Sequence, residues 1–365
     1  YGDHRDLHSF PTRRSSDLHY LGHGMSDIER NNAVNQMNAL LDEFIDAKEY
    51  GSILQPGAYD WALLSRFVAD TTPEQQVTFD ESGVEATQAQ LRLMIAQGQA
   101  LAQKYHAVVT NPPYMGQSGM STRLNDYVKC NYPNGKMDLF SCFIESCGHM
   151  LITNGYQSMI TMHSWMFLTT FEDLRNILLL RDISSLLHLG AHAFEEIGGE
   201  VVQTVAFVIR NSSIDAYIAH YRRLLTPSSQ IGKEEMFLTG NNSFFTTNRR
   251  FKKIPGHPFA YWIPDLTVSL FEKMPKLGEL CISKTGMTTG DNNRFLRLWQ
   301  EVSSLQIGNK WFFYNKGGGY RKWYGSLDYV IIWENDGEMV KTQRSEEHTS
   351  ELQSPTNLVC RLLLE

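Results

Sequence analysis

The stretch "YHAVVTNPPYMG", from Tyr105 to Gly116, joins an apolar run typical of a β-strand to an asparagine, two prolines and an aromatic residue. Each proline removes a backbone hydrogen-bond donor and restricts the residue before it. Neither a strand nor a helix is therefore expected to continue from Asn111 to Tyr114. The sequence predicts a rigid loop that directly follows a strand.

Short strand-like and helical runs alternate around and after this loop. The strand-like runs are "HAVVT" (106–110), "YQSMITM" (156–162), "ISSLLHLG" (183–190) and "EVVQTVAFVIRN" (200–211), and the helical runs are "MDLFSCFIESCGHMLITNG" (137–155) and "TFEDLRNILLLRD" (170–182). The first strand is predicted to be buried. Alternation of this kind indicates an α/β domain with a largely parallel sheet.

Two helical patterns precede the loop, at residues 27–50 and at about 86–105. Between them, "TTPEQQVTFDESG" (71–83) is rich in turn residues and is predicted to be exposed. The region therefore reads as a helical layer on a larger domain.

The two ends of the chain differ in character from the rest. "FPTRRSSDL" (10–18) and "RSEEHTSELQS" (344–354) look like translated sequencing-adapter DNA, so residues 1–18 and 344–365 are interpreted as artefact. The remainder is divided into a helical segment (19–104), an α/β domain (105–215), a connector (216–258) and the start of a second domain (259–343). The basic, proline-containing run "TTNRRFKKIPGHP" (246–258) marks the last boundary.

Composition excludes few classes of function. The formal net charge of −7 is mildly acidic, but nucleic-acid binding depends on local basic patches. The cysteines show no CxxC pairing, which favours reduced thiols in a cytoplasmic protein. No apolar run approaches the roughly 18 residues of a membrane helix. Cys142, Cys147 and His149 share a helical, apolar setting that predicts buried thiols, so no metal site is expected.

The proline-rich loop offers groups that match a planar amine. Asn111 has a side-chain carbonyl, Pro112 a main-chain carbonyl and Tyr114 a flat ring, while Pro113 keeps the turn rigid. Two acceptors close together can hold both hydrogens of an NH2 group. Such a grip helps to localise the nitrogen lone pair and aims it at an electrophile without a metal or a strong base.

"NPPY" after an apolar strand resembles the catalytic motif of amino-methyltransferases that use S-adenosylmethionine, above all DNA adenine-N6 methyltransferases. Together with "YVKCNYP", "MITMHSWMFL", "TTGDNNRFLRLW" and "YNKGGGYRKWYG", it makes most of residues 19–343 similar to the PglX family of the BREX and phage-growth-limitation defence systems. The resemblance implies a partial Rossmann-like methyltransferase sheet, preceded by helices and followed by the start of a target-recognition domain. It also implies double-stranded DNA and other BREX proteins as partners.

The family's residue roles transfer to this chain position by position. Asn111 and the carbonyl of Pro112 would accept hydrogen bonds from N6 of an adenine flipped out of the duplex, and Tyr114 would stack on the base. Phe207 would contact the base from its other side. An ordinary core phenylalanine is the favoured alternative for Phe207.

A second group of predicted substrate contacts lies in "NKGGGYRKWYG" (315–325): Lys316, Arg321, Lys322 and Trp323. Basic groups can neutralise phosphates and aromatic rings can stack on bases. The alternative is a solvated loop whose aromatic residues face the core. "TTGDNNRF" (288–295) is similarly either a glycine turn or a phosphate-contacting loop.

One departure from the family concerns the methyl donor. The family's glycine-rich cofactor turn follows an early strand, and no such turn occurs between residues 19 and 105. "LGHGMSD" (21–27) has two glycines but no preceding strand. The sequence is therefore interpreted as an internal, inactive fragment of a longer enzyme. An RNA or protein-glutamine methyltransferase and a non-catalytic DNA-binding module remain the alternatives.

Overall fold

A computed structural model describes residues 18, 21–22, 24–69, 81–194, 202–281, 289–317, 319–320, 322, 325 and 327–347, with only the backbone described at 81–86, 277 and 343–347. The chain divides into two compact units, Tyr1–Met274 and Pro275–Glu365. The first unit combines helices with a mixed sheet, which confirms the predicted α/β class.

The amino-terminal part of the first unit is helical, as predicted. Its helices are α1 (Asp27–Phe44), α2 (Ala47–Tyr50), α3 (Trp61–Phe67) and α4 (Glu81–Ala102). Ser26 and Glu29 start α1 with a capping box, in which each side chain bonds the other residue's backbone N–H. Leu18 lies in the segment interpreted as artefact, yet it is 4% exposed and belongs to the buried cluster that joins α1, α3 and α4. Of the predicted exposed turn, residues 71–80 lie outside the described residues.

Six strands of the described residues form one sheet. They are β1 (Tyr105–Thr110), β2 (Leu151–Met162), β3 (Asp182–Gly190), β4 (Thr204–Arg210), β5 (Ile218–Arg223) and β6 (Ser243–Thr247), in the order β1-β2-β4-β3-β5-β6. β1 with β2 and β3 with β5 pair in parallel, whereas β4 and β6 are antiparallel to their neighbours. β1, β2, β3 and β5 therefore end at the same edge, called here the carboxyl edge; the opposite one is the amino edge.

The main core lies on one face of this sheet. The strand register aligns Met159, Phe207, Leu186 and Tyr221 across β2, β4, β3 and β5, and none is more than 2% exposed. Further helices of this unit are α5 (Thr122–Asn131), α6 (Leu139–His149), α7 (Glu172–Leu178), α8 (Gln230–Leu238), α9 (Asn248–Phe251) and α10 (Asp265–Lys273). Apolar residues of α6, α7 and α9 complete the core.

The predicted helix 137–155 is wrong at its end. α6 ends at His149, and β2 already begins at Leu151. Ile152 and Thr153 are β-branched and favour a strand. Asn154 has a φ of 65° and lies, with Gly155, where the pairing of β1 with β2 shifts register. Residues that resembled a helix stop are thus an irregularity within a strand.

The prediction that β1 is buried is also wrong. β1 lies at the end of the sheet, where it pairs only with β2 among the described strands. Val108 packs against the main core, but Val109 is 75% exposed. A buried parallel strand and an edge strand share the same apolar composition, so the sequence did not distinguish them.

The predicted connector 216–258 instead extends the sheet, because it contains β5, α8, β6 and α9. In its basic run, Arg250 is ion-paired with Asp265 and Lys253 with Glu272, while Phe251 is buried in the core. The division between the compact units falls after Met274, not near residue 258. β4 is shorter than the predicted strand 200–211, although residues 200–201 lie outside the described part.

The second unit contains α11 (Leu277–Leu280), α12 (Asn292–Phe295), β7 (Leu296–Leu298), β8 (Trp311–Tyr314), β9 (Tyr329–Ile332) and α13 (Glu334–Glu347). Its strands form an antiparallel sheet in the order β7-β9-β8. Phe295, Leu296, Ile331 and Val340 make a small buried cluster. Across the described part of both units, no helix is long and apolar enough to cross a membrane.

Candidate functional site

The proline-rich loop leaves the sheet at the carboxyl edge, directly after β1. Asn111 and Pro113 are exposed, Pro112 is buried and Tyr114 is half-buried. The carboxamide of Asn111 makes no hydrogen bond to the described residues. The structure therefore brings the four predicted catalytic residues together with the asparagine side chain available to a ligand.

The ring of Tyr114 is fixed from one side. Phe140 contacts it edge-on, with ring centroids 6.1 Å apart, and the Tyr114 hydroxyl donates to the carbonyl of Ile160 at 3.4 Å. Burial, with a smaller contribution from the charge of Asp138, raises the pKa of Tyr114, so the hydroxyl stays neutral. The remaining exposed part of the ring can meet a planar ligand.

Asp138 anchors this loop and was not predicted. Its Oδ1 accepts from the backbone N–H of Met115 at 3.1 Å and from that of Phe140 at 3.2 Å. The N–H of Leu139 donates to the carbonyl of Met115 at 2.9 Å. Burial raises the pKa of Asp138, and its backbone donors oppose that shift. Asp138 and Ser141 show a capping signature in the sequence, but the contact with Met115 has no local signal.

A chain of neutral side chains continues along the carboxyl edge. His163 follows β2, and its Nδ1 lies 2.8 Å from Nε2 of His188 on β3. Nδ1 of His188 lies 3.1 Å from the hydroxyl of Tyr261. Burial lowers the pKa of His163 to about 4 and that of His188 to about 3, the latter with help from nearby cations. Both histidines are therefore uncharged at neutral pH.

Phe207 lies in the core rather than at this edge. It is 2% exposed and meets Trp165 edge-on, with ring centroids 5.6 Å apart. A base would reach Phe207 only after its neighbours moved. Its predicted substrate contact stays a prediction, and the burial favours the core alternative.

The other predicted contacts belong to the second unit. Nζ of Lys316 lies 4.5 Å from the ring centroid of Tyr329, and Lys322 is exposed. Arg321 and Trp323 lie outside the described residues. Their contact with DNA stays a prediction.

The described part of "TTGDNNRF" has the form of the glycine-turn alternative. Gly290 has a φ of 72°, and the Asp291 side chain then caps α12 by accepting from the N–H of Arg294 at 3.1 Å. The hydroxyl of Thr289 donates to Oδ1 of Asn292 at 2.5 Å. Its first residue, Thr288, is not described.

The described residues do not provide the glycine-rich cofactor motif. Residues 24–69 and 81–104 form helices and loops, without a strand that could lead into such a turn. No group of three or more His, Cys, Asp or Glu side chains within the described part is placed to hold a metal ion. Cys142 and Cys147 are buried, and burial raises the pKa of each thiol to about 12.

Comparison with known proteins agrees with the family resemblance that the loop sequence predicts. The model of the Eco57I restriction-modification methylase family matches residues 28–194. Adenine-specific methyltransferase PglX of Lacticaseibacillus casei (strain Zhang) is 39% identical over 326 residues, which cover 84% of this chain and 27% of the relative. This chain is homologous to the PglX adenine-specific methyltransferases. The predicted resemblance to the PglX family is thereby confirmed.

A second relative is adenine-specific methyltransferase BrxX of Escherichia coli O9:H4 (strain HS), 40% identical over 301 residues, which cover 80% of this chain and 25% of BrxX. The chain thus spans about a quarter of the length of PglX and BrxX. A solved structure, that of a DrdV–DNA complex, is 15% identical with a TM-score of 0.37 and covers 50% of this chain and 20% of that one.

Proposed function

We propose that this chain is part of a DNA adenine-N6 methyltransferase and supplies the loop that grips the target amine. The observation that carries the proposal is the exposed carboxamide of Asn111, which makes no hydrogen bond within the described residues and lies before two prolines at the carboxyl edge, near Tyr114. Homology to adenine-specific methyltransferases supports this assignment. Ligands of open α/β sheets commonly bind at that edge.

The loop residues act on the amine in three ways. Oδ1 of Asn111 and the carbonyl oxygen of Pro112 accept the two N6 hydrogens of an extruded adenine. The ring of Tyr114 stacks on the base and excludes water from one face. The amine is then held with its lone pair directed away from the loop, towards the methyl group.

S-adenosylmethionine is the proposed methyl donor, on the basis of the family. The described residues give it no recognisable site, so the proposal assigns no residue of this chain to it. Binding of the donor would depend on further parts of a longer protein.

The free edge of β1 supports a role as one part of a longer sheet. β1 pairs on one side only within the described residues, and the exposed Val109 leaves one of its faces uncovered. An apolar strand of this kind is normally paired or covered. We therefore propose that the isolated chain is inactive and that the active enzyme contains a strand paired with β1.

The test is the variant Asn111→Ala in the full-length protein. The rate of methyl transfer to duplex DNA should fall by about 10²–10³-fold, as expected for loss of one catalytic hydrogen-bonding group. The rate is measured as the formation of N6-methyladenine. The control is Asn241→Ala, since Asn241 is an exposed asparagine whose side chain bonds only to Thr239 in the described part.

Three outcomes would contradict parts of the proposal. Full activity of Asn111→Ala would make the loop a structural element. Methylation of RNA or of a protein glutamine, with duplex DNA untouched, would change the substrate. Turnover by the isolated chain would overturn its inactivity.

A further inference from the structure

The carboxyl edge carries a cation that the proposed chemistry does not use. Arg223 is the last residue of β5, and the strand register places it beside His188 of β3. Its side chain therefore lies at the same edge as Asn111. His163 and His188 are neutral, so the positive charge beside this row of strand ends comes from Arg223 and from Lys233, whose Nζ is already bonded to the carbonyls of Leu189 and Leu224.

The guanidinium of Arg223 is oriented by an aromatic ring. Its Cζ lies 5.0 Å from the ring centroid of Trp262. Nε of Arg223 is buried and has no hydrogen-bond partner in the described part of the chain. No ion pair found among those residues involves it either. A stacked guanidinium without a carboxylate partner is suited to a planar contact with phosphate oxygens.

A cavity of about 330 Å³ opens beside this arginine, and its lining contains no acidic side chain: Arg223, Leu225, Thr226, Asn242 and Phe244. Thr226 and Asn242 are exposed and add a hydroxyl and a carboxamide. The volume lies near the lower end of the roughly 300–1,000 Å³ of ordinary ligand sites. Its residues suit an anion.

We propose that Arg223, stacked on Trp262, binds a backbone phosphate of the DNA duplex whose adenine enters the Asn111 loop. The inference rests on the proposed function. Four strand spacings of about 4.8 Å separate β1 from β5, which places the phosphate roughly 19 Å from the adenine loop. At about 3.4 Å per step along one strand, the contact falls five to six steps from the target base. Such a contact positions the duplex and reads no sequence.

The test is to measure duplex-DNA binding of the purified full-length protein by fluorescence anisotropy between about 50 and 300 mM salt. Arg223→Ala should weaken binding about 5- to 10-fold at the lowest salt concentration. The slope of log affinity against log salt should shrink by about 0.9, the value for one phosphate contact.

Arg249→Ala is the matched control. This substitution also removes one positive charge. Arg249, however, lies just beyond β6 at the amino edge and is ion-paired with Asp215. Its removal should leave both affinity and slope unchanged within about twofold. Equal losses in the two variants would reduce the effect to net charge and would overturn the site.

Three further variants separate orientation from charge. Arg223→Lys should keep the salt slope but lose about 2- to 3-fold in affinity, because lysine lacks the planar stacking group. Trp262→Phe should bind like the wild type, whereas Trp262→Ala should resemble Arg223→Lys. Thermal unfolding identifies any variant that fails to fold, and Arg223→Lys then decides the question.

The two proposals can fail separately. Wild-type slope and affinity in folded Arg223→Ala would overturn the phosphate site while leaving Asn111-dependent methylation intact. Methylation that survives Asn111→Ala would overturn the proposed function, even if Arg223→Ala weakens DNA binding. A loss confined to duplex RNA would assign the site to RNA and overturn the proposal for DNA.

Discussion

The two edges of the six-stranded sheet use the same residue types in opposite ways. At the amino edge, Nδ2 of Asn248 donates to the carbonyl of Arg181 at 2.7 Å, and Arg249 is ion-paired with Asp215. At the carboxyl edge, the side chain of Asn111 is unbonded and Arg223 lacks a carboxylate partner within the described residues. The difference indicates that Asn248 and Arg249 are already occupied by partners within the fold, while Asn111 and Arg223 are available for a ligand.

Among single substitutions, the largest effect on stability is expected from Asp182→Ala at the amino edge. Asp182 is 2% exposed and accepts from the Ser212 hydroxyl at 2.5 Å and from the Ile214 N–H at 2.9 Å. Loss of both bonds should lower the free energy of unfolding by about 2–4 kcal/mol, measured by urea denaturation. Asp215→Ala, at an exposed ion pair, should cost less than about 1 kcal/mol. Equal losses of unfolding free energy in Asp182→Ala and Asp215→Ala would contradict the view that buried hydrogen bonds at the amino edge stabilise the fold.

Replacement of Tyr114 tests the carboxyl edge through its effect on activity instead of stability. Tyr114→Ala should reduce methyl transfer by the full-length protein about 10- to 100-fold, since stacking on a base contributes roughly 1–3 kcal/mol. Tyr114→Phe keeps the ring and loses only a long hydrogen bond to Ile160, so its activity should stay within about threefold. A similar loss in both variants would assign the effect to the hydroxyl instead of the ring.

Acid should weaken the carboxyl edge through His163 and His188. Their pKa values of about 4 and about 3 lie below the ordinary 6.5, so the unfolded chain binds more protons than the folded one between these limits. Their contribution to stability is complete above pH 6.5 and is lost as pH falls towards the folded values. The loss is at most about 1.4 kcal/mol per pH unit for each histidine.

Urea denaturation between pH 7 and pH 4.5 measures this loss. The free energy of unfolding of the double variant His163→Gln, His188→Gln should depend less steeply on pH than that of the wild type, because the variant lacks both histidines. The carboxylates titrate alike in both proteins and do not affect the difference. The positive charges of Arg223 and Lys233, like burial, lower the pKa of His188. Parallel curves for the two proteins would mean that the histidine pair contributes nothing to acid sensitivity.

The smallest effect on stability is expected when Asn248 or Asn111 is replaced by alanine. Asn248→Ala removes a part-buried hydrogen bond and should cost about 1 kcal/mol of stability. Asn111→Ala should change stability by less than about 0.5 kcal/mol, as is usual for an exposed, unbonded side chain. Thermal unfolding of both variants sharpens the comparison, and a larger cost at Asn111 would argue against its role as a free ligand group.

Local features of this molecule were predictable from sequence. The strand before Asn111, the rigid turn at Pro112 and Pro113, and the helix that includes Phe140 all follow from short-range periodicity and proline chemistry. The candidate adenine grip was therefore visible in four consecutive residues.

Contacts between distant segments were not predictable. Asp138 bonds the N–H of Met115, 23 residues earlier, and Arg223 stacks on Trp262 from another element. The basic run near Arg250 resembled a linker because its carboxylate partner Asp265 follows at a distance. Partner choice across the fold depends on tertiary packing, which a single sequence does not encode in any local pattern.

The outer edge of β1, which is unpaired within the described part of the chain, also determines how the isolated chain should behave in solution. Backbone N–H and C=O groups along its outer side, next to the 75% exposed Val109, can pair with the same edge of another copy. Self-association that increases with protein concentration is the expected result. A strand supplied by the proposed longer enzyme would block that route, so completing the sheet and keeping the protein monodisperse would be achieved in one step.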